Sequence, residues 1–476
     1  MKIRQRTTVI FSFLLLLAVA AAPGASIVYG QTGTQPPPTA TTVPTLMAGG
    51  TGCAPNATKL VWYVGLGSGG NPEEIKAETA WLDKFNASQT EGCVQLQVVH
   101  NPDSYDTLHA MIAAGTPPDI VGPVGKLGRA SFQGAWADVT PLAKAAKVDL
   151  TKYDPTLLDF IKDDNVQVGL PFAMFPAFIY YNKDLFDEAK LPYPPHKVGE
   201  QYMGKDWTID TFDQLAEKLT VDKAGNDATN SSFDAKNITQ YGFWSGYASF
   251  RHIMMWYGAY LPFATGSTDA VIPPSWRTAS QWYYDAIWKN HFHPTGDAMN
   301  SDLLAKGDPF SSGNVAMTWS HTWYTCCFDA VKTHWDIAVV PTYNGKTIAG
   351  MHGDTFAIPK ASKNTQVAFD VLYKMVTDKD LGAVYGGIPG DPALRDGFFA
   401  TMNTKVGTNK IDWQVALDML KYPDLPNHEA WMPNLTKSQA VLDNFKTKME
   451  TTPGLDINKE LDQVQKDLDA AFKAAQ

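Results

Sequence analysis

Hydrophobic and polar positions follow two different periods in the first part of the chain. Residues 60–64 and 94–99 are short apolar runs typical of buried strands, and a third short strand is predicted at 117–121. Residues 72–88 and 105–114 instead carry apolar side chains at helical spacing. The order strand, helix, strand, helix, strand predicts parallel pairing, with helices packed on the faces of the sheet.

A second set of elements runs from residue 178 to the end of the chain. Helices are predicted at 209–219, 278–289, 366–377 and 458–475. A chain of 476 residues is about three times the length of a typical domain, which predicts two lobes with separate cores. The pattern therefore predicts an α/β protein of two lobes.

The N-terminus reads as an export signal followed by a linker. Three basic residues precede an uncharged apolar run at 9–22, and small residues follow, so residues 1–30 are predicted to be a signal peptide. The run is shorter than the roughly 20 residues of a membrane-spanning helix, which makes a retained anchor the alternative. Residues 31–58 are rich in Pro, Thr and Gly and are predicted to be a linker. A lipid anchor is not expected because Cys53, the first cysteine, lacks a preceding Leu-containing lipidation box.

Composition and cysteine positions narrow the class further. Hydrophobic residues make up 44% of the chain, which excludes disorder for most of it, and the net charge of −10 argues against a nucleic-acid partner. Cys53 and Cys93 each precede a predicted strand, so neighbouring parallel strands would permit a disulfide between them; free thiols or other partners remain open. Cys326 and Cys327 are adjacent, and a bridge between them would close a strained ring. The alternative to a bridge between Cys326 and Cys327 is a strained turn at these residues.

Five segments, in this order and at this spacing, resemble the family 1 extracellular solute-binding proteins of ATP-driven (ABC) importers, which include maltose-binding proteins. They are residues 60–85, 113–121, 180–186, 310–317 and 356–360. The resemblance implies a two-lobed α/β fold of the periplasmic-binding-protein type (type II), with a ligand cleft between the lobes. It places the hinge crossings near 175–179, 349–354 and 386–389. The implied lobes are 59–176 plus 350–386, and 177–349 plus 387–476.

The same resemblance implies the function. We expect an exported, extracytoplasmic substrate-binding component that closes over a small polar solute and delivers it to a membrane permease. A sugar or oligosaccharide is the first expectation; the alternatives are a polyol, a polyamine, a peptide, or an exported glycoside hydrolase. The residues show no catalytic cluster, so we expect a monomeric binding protein that is not an enzyme and uses no cofactor.

Aromatic side chains are the first candidates for holding a sugar, because sugar rings present apolar faces. Trp323 lies six residues beyond Ala316-Met317, matching the stacking Trp of maltose-binding proteins; the alternative is a core Trp. Trp319 and His321 share its strand exit, although Trp319 is also a core candidate. The remaining aromatic candidates are Trp244, at a strand end, and Phe175, at the first crossing.

Polar candidates lie near predicted strand ends and crossings. Asp103 and Tyr105 follow the second strand, with helix capping as the alternative role for Asp103. His352 and Asp354 lie at the second crossing, and Ser68 lies in a Gly-rich loop. Arg395 is a further candidate for clamping a ligand. Where maltose-binding proteins carry Trp, Asp and Arg contacts, this chain has Pro123, Lys126 and Leu127, so maltodextrin specificity is not supported.

Three other site types are disfavoured. Residues 65–70 fit a dinucleotide-binding glycine pattern, but Glu73-Glu74 at the start of the next helix would repel a pyrophosphate. Residues 222–237 lack the fixed spacing of a calcium loop. His291 and His293 form no visible ligand set with the scattered cysteines, so no metal site is predicted.

Overall fold

A computed structural model of the protein describes residues 45–50, 52–264, 267–305, 307–327, 333–407 and 410–474. The side chains of Thr45, Leu46, Pro102, Cys326 and Cys327 are left out of this description. The predicted signal peptide and the linker up to residue 44 lie outside the described residues. Residues 43–476 form one compact unit.

The β-strands range from two-residue pairs to the ten-residue β7. They are β1 (Thr45–Gly49), β2 (Thr58–Val64), β3 (Gly92–Val99), β4 (Ile120–Val124), β5 (Lys162–Asp163), β6 (Val166–Gln167), β7 (Ala173–Asn182), β8 (Gln201–Tyr202), β9 (Lys205–Asp206), β10 (Val221–Asp222), β11 (Ile238–Trp244), β12 (Val315–His321), β13 (Trp335–Ala338), β14 (Met351–Ala357) and β15 (Ile388–Pro389).

The α-helices include every helix that the periodicity predicts, with no end shifted by more than four residues. They are α1 (Pro72–Ser88), α2 (Asn101–Ala113), α3 (Lys126–Ala130), α4 (Thr140–Ala145), α5 (Pro155–Phe160), α6 (Lys183–Ala189), α7 (Ile209–Lys218), α8 (Phe250–Met254), α9 (Pro274–Trp288), α10 (Gly296–Met299), α11 (Thr365–Thr377), α12 (Lys379–Val384), α13 (Arg395–Lys405), α14 (Gln414–Met419), α15 (Leu435–Thr451) and α16 (Ile457–Lys473).

The start of helix α1 is determined by its local sequence. The Asn71 side chain accepts hydrogen bonds from the backbone N–H groups of Glu73 and Glu74. The backbone N–H of Asn71 in turn donates to the Glu74 carboxylate, which completes a capping box. Farther along the helix, Trp81 and Leu82 are buried in the core. The polar start of α1 is therefore fixed while its apolar face packs inward.

The main sheet has the order β1-β3-β2-β4-β14-β7-β12-β11-β10, with β13 and β15 also paired to β7. Strand β2 pairs in parallel with both β3 and β4. The predicted βαβαβ unit is therefore confirmed, because α1 and α2 are the connections between these parallel strands.

The predicted linker contains one strand. Thr45–Gly49 pairs antiparallel with β3, placing Thr45 opposite Val99 and Gly49 opposite Gln95. The prediction from composition that residues 31–58 form a linker is therefore wrong for residues 45–49. The exposed edge of β3 offers unpaired backbone groups, and β1 satisfies them.

Strand β7 connects the two parts of the sheet. All ten of its residues are buried; its first part pairs with β14, where Phe175 lies opposite His352, and its second part pairs with β12, where Ala177 lies opposite His321. The predicted crossings thus fall in or beside β7, β14 and β15. The buried residues form two hydrophobic clusters, one of which contains Trp62, Phe356 and Phe369. Trp323 packs against both clusters.

The disulfide between Cys53 and Cys93 is confirmed, with a Cα–Cα distance of 5.5 Å. Lys59 is paired with Cys93 in the parallel register of β2 and β3, which brings the entrances of these strands together. The side chains of Cys326 and Cys327, at the end of a 3-10 turn, lie outside the described residues, so the vicinal bridge stays a hypothesis.

Candidate functional site

A cleft of about 670 Å³ is bordered by the start of α1, by α12 and α13, and by the turn that follows β12. Its walls combine aromatic rings with charged groups at the rim. The aromatic residues are Phe172, Trp323, Tyr385 and Phe398, and the charged ones are Glu73, Glu74, Asp378, Lys379, Asp380 and Lys405. This volume lies within the usual range for small-molecule pockets, roughly 300–1,000 Å³.

Trp323 is the one predicted site residue that lines this cleft. It is half-buried, and its ring centroid lies 6.0 Å from that of Tyr247. Tyr247 in turn lies 5.1 Å from Trp244, which is itself buried. Tyr247 is 59% exposed, so Trp323 and Tyr247, rather than Trp244, offer accessible ring surface in this group.

Ser68 and Asp354 are brought together although 286 residues separate them. The Ser68 hydroxyl donates a hydrogen bond of 3.0 Å to Oδ2 of Asp354. Asp354 is buried, and this burial raises its pKa to about 6, against the opposing effects of the Ser68 bond and of His352. The loop after β2 and strand β14 thus join at a buried carboxyl group.

His321, His352 and Trp319 belong to a second group, which also contains His252. On β7, His321 is paired with Ala177 and His352 with Phe175. These two positions are two residues apart, so both histidines point to the same face of the sheet, and their ring centroids lie 4.3 Å apart. Trp319 is buried, with its ring 4.2 Å from that of His252. His321 also stacks near Trp323 at 5.5 Å, which connects this group to the cleft.

His428 completes a cluster of four histidines that we name the histidine cluster: His252, His321, His352 and His428. The ring of His252 stacks at 4.2 Å on that of His428 and at 4.7 Å on that of His321. Burial and the neighbouring imidazoles hold the pKa values of His252 and His321 well below the ordinary value. Both rings are therefore neutral at pH 7.

Two carboxylates flank the histidine cluster. Asp424, fully buried, lies 2.7 Å from Nδ1 of His428, and Glu429 lies 3.3 Å from Nδ1 of His352. Burial acts to lower the pKa of His352, but the charge and hydrogen bond of Glu429, together with the charges of Asp424 and Asp354, outweigh burial and raise that pKa. Burial acts to raise the pKa of Glu429, yet His352 and His428 reduce it to about 2. Glu429 is therefore ionised, and its charge faces His352.

Four other predicted residues do not line the cleft. Asp103 is exposed in the first turn of α2, whose N-cap is His100, so Asp103 does not cap the helix. Tyr105 stacks at 6.2 Å on Phe132. Phe175 is buried in the core, and the Arg395 guanidinium donates to the carbonyl groups of Pro389 and Gly390.

His252, His428 and Glu429 are not among the site residues predicted from the sequence, and no metal site is predicted from it. These residues come from α8 and from the segment between α14 and α15, so no spacing in the chain brings them near β14. His428-Glu429 is an adjacent His-Glu pair, a weak signal that becomes informative only with the fold.

Comparisons with known proteins agree with this architecture. The galactooligosaccharide-binding protein of Bacillus subtilis is 22% identical over 330 residues, covering 68% of this chain and 72% of that protein. Two solved structures match at probability 1.00: Mycobacterium tuberculosis UspC, and an ABC substrate-binding protein from Listeria monocytogenes in complex with cycloalternan. UspC has a TM-score of 0.65 and 19% sequence identity, and the match covers 87% of this chain. The Listeria protein has a TM-score of 0.63 and 18% sequence identity, and the match covers 88% of this chain. Each solved structure is matched over 100% of its own length.

Helices in the part of the chain that the structure describes are all too short or too polar to cross a membrane. The family profile described as bacterial extracellular solute-binding protein matches residues 69–380, well over half of the chain. With its two-lobed α/β fold, the chain belongs to the bacterial extracellular solute-binding proteins.

Proposed function

We propose that this protein is the extracytoplasmic binding component of an ATP-driven importer and that it binds an oligosaccharide in the cleft beside Trp323. The observation that carries the proposal is the half-buried ring of Trp323 on the wall of a cleft of about 670 Å³. An accessible indole at a cleft wall suits the apolar face of a sugar ring.

The rim of the cleft supplies the polar contacts that a sugar needs. Glu73, Glu74 and Asp380 accept hydrogen bonds, whereas Lys379 and Lys405 donate them. Sugar hydroxyls both donate and accept, so a rim of mixed sign suits a neutral ligand better than a singly charged one. The names of relatives agree, since one binds galactooligosaccharides and another was solved with cycloalternan.

The remaining predicted residues take supporting places in this proposal. Tyr247 extends the aromatic surface next to Trp323, with Trp244 packed behind it. Ser68 and Asp354 hold the loop after β2 against β14. Trp319, His321 and His352 form the wall behind Trp323, and we assign Asp103, Tyr105, Phe175 and Arg395 no contact with the sugar.

Closure of the lobes is the signal that the permease reads in this proposal. A ligand that touches both lobes favours the closed state by its greater affinity for that state. The protein acts outside the cytoplasm, as a monomer, and releases its cargo unchanged. Small-angle scattering with and without the sugar tests this closure, because the radius of gyration decreases when the lobes close.

A binding screen tests the choice of cargo. Galactooligosaccharides, cycloalternan, linear maltodextrins, polyols, polyamines and short peptides are each added to the purified protein, and the melting temperature is recorded. A ligand at 100 times its dissociation constant stabilises the fold by roughly 2.7 kcal/mol. Stabilisation by an oligosaccharide, confirmed by calorimetry at one equivalent, supports the proposal.

The same samples separate the rival functions. Stabilisation only by polyols, polyamines or peptides would assign a non-carbohydrate cargo. Chromatography of each sugar after long incubation with the protein tests the glycoside hydrolase alternative. New, shorter products would overturn the proposal, since a binding protein returns the sugar intact.

A further inference from the structure

We propose that His252, His352 and His428 form a binding site for one divalent transition-metal ion of the zinc class. Each offers one ring nitrogen, and these three nitrogen atoms lie within 4.8 Å of one another. The residues come from α8, from β14 and from the segment after α14. The fold therefore assembles three imidazole ligands that the sequence keeps far apart.

The two best-defined ligands already have the separation that a metal requires. Nε2 of His352 lies 3.3 Å from Nε2 of His428. Two imidazole nitrogens bound to a tetrahedral zinc ion at about 2.0–2.1 Å are roughly 3.3–3.4 Å apart. The observed distance therefore fits two ligands of a single ion.

The outer nitrogen of each of these rings faces a carboxylate. Nδ1 of His428 lies 2.7 Å from Oδ2 of Asp424, and Nδ1 of His352 lies 3.3 Å from Oε1 of Glu429. Metal-binding histidines commonly donate their second N–H to a carboxylate, which fixes the tautomer and makes the metal-facing nitrogen more basic. Here that arrangement turns each Nε2 toward the other ring, where one cation would bind both atoms in place of the proton of their hydrogen bond.

The other two imidazoles contribute nitrogens without partners. Nε2 of His252 and both nitrogens of His321 are buried and have no hydrogen-bond partner among the described residues. A buried polar atom without a partner costs about 1–3 kcal/mol, and native proteins contain few of them. His252 is one of the three proposed ligands, and a bound ion would give its Nε2 the partner that it lacks.

Ligand type and charge select the class of metal. Imidazole suits Zn²⁺, Cu²⁺, Ni²⁺ and Fe²⁺, whereas Ca²⁺ and Mg²⁺ prefer sites made entirely of oxygen. Asp424 and Glu429 supply two negative charges that offset those of the ion. Two buried guanidinium groups oppose the ion. Arg129 pairs with Asp163. Arg251 donates to the Asn427 and Ala430 carbonyl groups, and its charge interacts with both carboxylates.

The site lies where separate parts of the fold meet, and a neighbouring histidine connects it to the wall of the cleft. The backbone N–H of Leu127, in α3, bonds to Glu429, and Asp354 on β14 bonds to Ser68. His321 connects the histidine cluster to Trp323. A bound ion would therefore stabilise the conformation in which these segments are together, whatever cargo the cleft takes.

The experiment uses the full-length protein after removal of metals with a chelator. Zn²⁺ is titrated by calorimetry, and Co²⁺ by visible absorption. We expect one equivalent of each ion to bind, strong cobalt bands typical of four ligands with imidazole donors, and a higher melting temperature. The cobalt spectrum needs no variant, so it remains decisive if substitutions in the histidine cluster prevent folding.

Substitutions locate the site. His352→Asn and His428→Asn are each expected to weaken zinc binding by about 100-fold or more, and Asp424→Asn, which removes only the outer partner of His428, by about 10- to 100-fold. His334→Asn is the matched control, because this exposed histidine pairs with Asp184 away from the cluster. Circular dichroism verifies that each variant is folded.

Two results would overturn the inference. One is zinc binding that the His352 and His428 substitutions leave unchanged or that His334→Asn abolishes. The other is the absence of a cobalt spectrum, which would mean that the histidine cluster holds a shared proton instead of a metal. Trp323→Ala should keep zinc binding while weakening sugar binding, so failure of this inference and failure of the sugar proposal are distinguishable.

Discussion

The ring of His321 lies 5.5 Å from that of Trp323, with an angle of 20° between their planes. His321 is buried inside the histidine cluster, whereas Trp323 borders the cleft. The indole wall of the cleft is therefore supported from behind by imidazoles. Both features belong to the exit of β12, so we expect substitutions in this turn to affect the cleft and the histidine cluster together.

Trp323→Ala should weaken oligosaccharide binding at least tenfold, or about 1.4 kcal/mol, because it removes the ring on which a sugar would rest. Isothermal calorimetry with the sugar found in the screen measures the change. Trp288→Ala is the control, since this half-buried Trp bonds to the Met449 carbonyl and does not border the cleft. Equal affinity for wild-type protein and Trp323→Ala would place the site elsewhere.

The bond between Ser68 and Asp354 should be measurable by a double-mutant cycle. Ser68→Ala is expected to destabilise the protein by about 1–3 kcal/mol, because the buried Asp354 carboxylate loses a donor. After Asp354→Ala the same substitution should cost much less. Urea unfolding of the four proteins gives the coupling energy, and a value near zero would show that the bond does not contribute to stability.

Glu78 should make the protein less stable as the pH rises. It is fully buried, and this burial raises its pKa to about 8, with the hydrogen bond from the Tyr385 hydroxyl opposing the shift and Glu74 adding to it. In the unfolded chain its pKa returns to the ordinary 4.5, so between pH 4.5 and 8 the folded state holds the additional proton. The free energy of unfolding then falls with rising pH, by up to about 1.4 kcal/mol per pH unit.

Glu78→Gln tests this assignment, because the amide has nearly the same shape and does not ionise. Its stability at pH 8 should exceed that of the wild type, and the slope between pH 5 and 8 should be shallower. Glu188→Gln, at an exposed position, serves as the matched control. If the wild-type slope persists in Glu78→Gln, another group is responsible for it.

The Cys53–Cys93 disulfide should stabilise the protein by about 2–4 kcal/mol, because it closes a loop of 40 residues in the unfolded chain. The double variant Cys53→Ser, Cys93→Ser should lose that amount, as measured by chemical unfolding under non-reducing conditions. Reducing agent should destabilise the wild type but not the double variant. A double variant as stable as the oxidised wild type would contradict this expectation.

Local sequence determined much of the architecture. The capping box at Asn71 and the apolar spacing that follows it specify α1, and the strands on either side have the mostly buried patterns that are typical of parallel pairing. Cys53 and Cys93 were predictable as partners because each stands at the entrance of one of two adjacent strands. These features depend on residues near one another in the chain, where periodicity and turn chemistry act directly.

Contacts between distant segments were decided only by the tertiary structure. Trp244 and Phe175 have the composition of ligand contacts, yet the packing of β11 and β7 buries both. His252 carries no local signal and His428 only a weak one, and they meet His352 only because α8 and the segment after α14 pack against β14. A sequence pattern reports which face of one element is buried, but the identity of the side chains that meet across elements depends on how the elements pack.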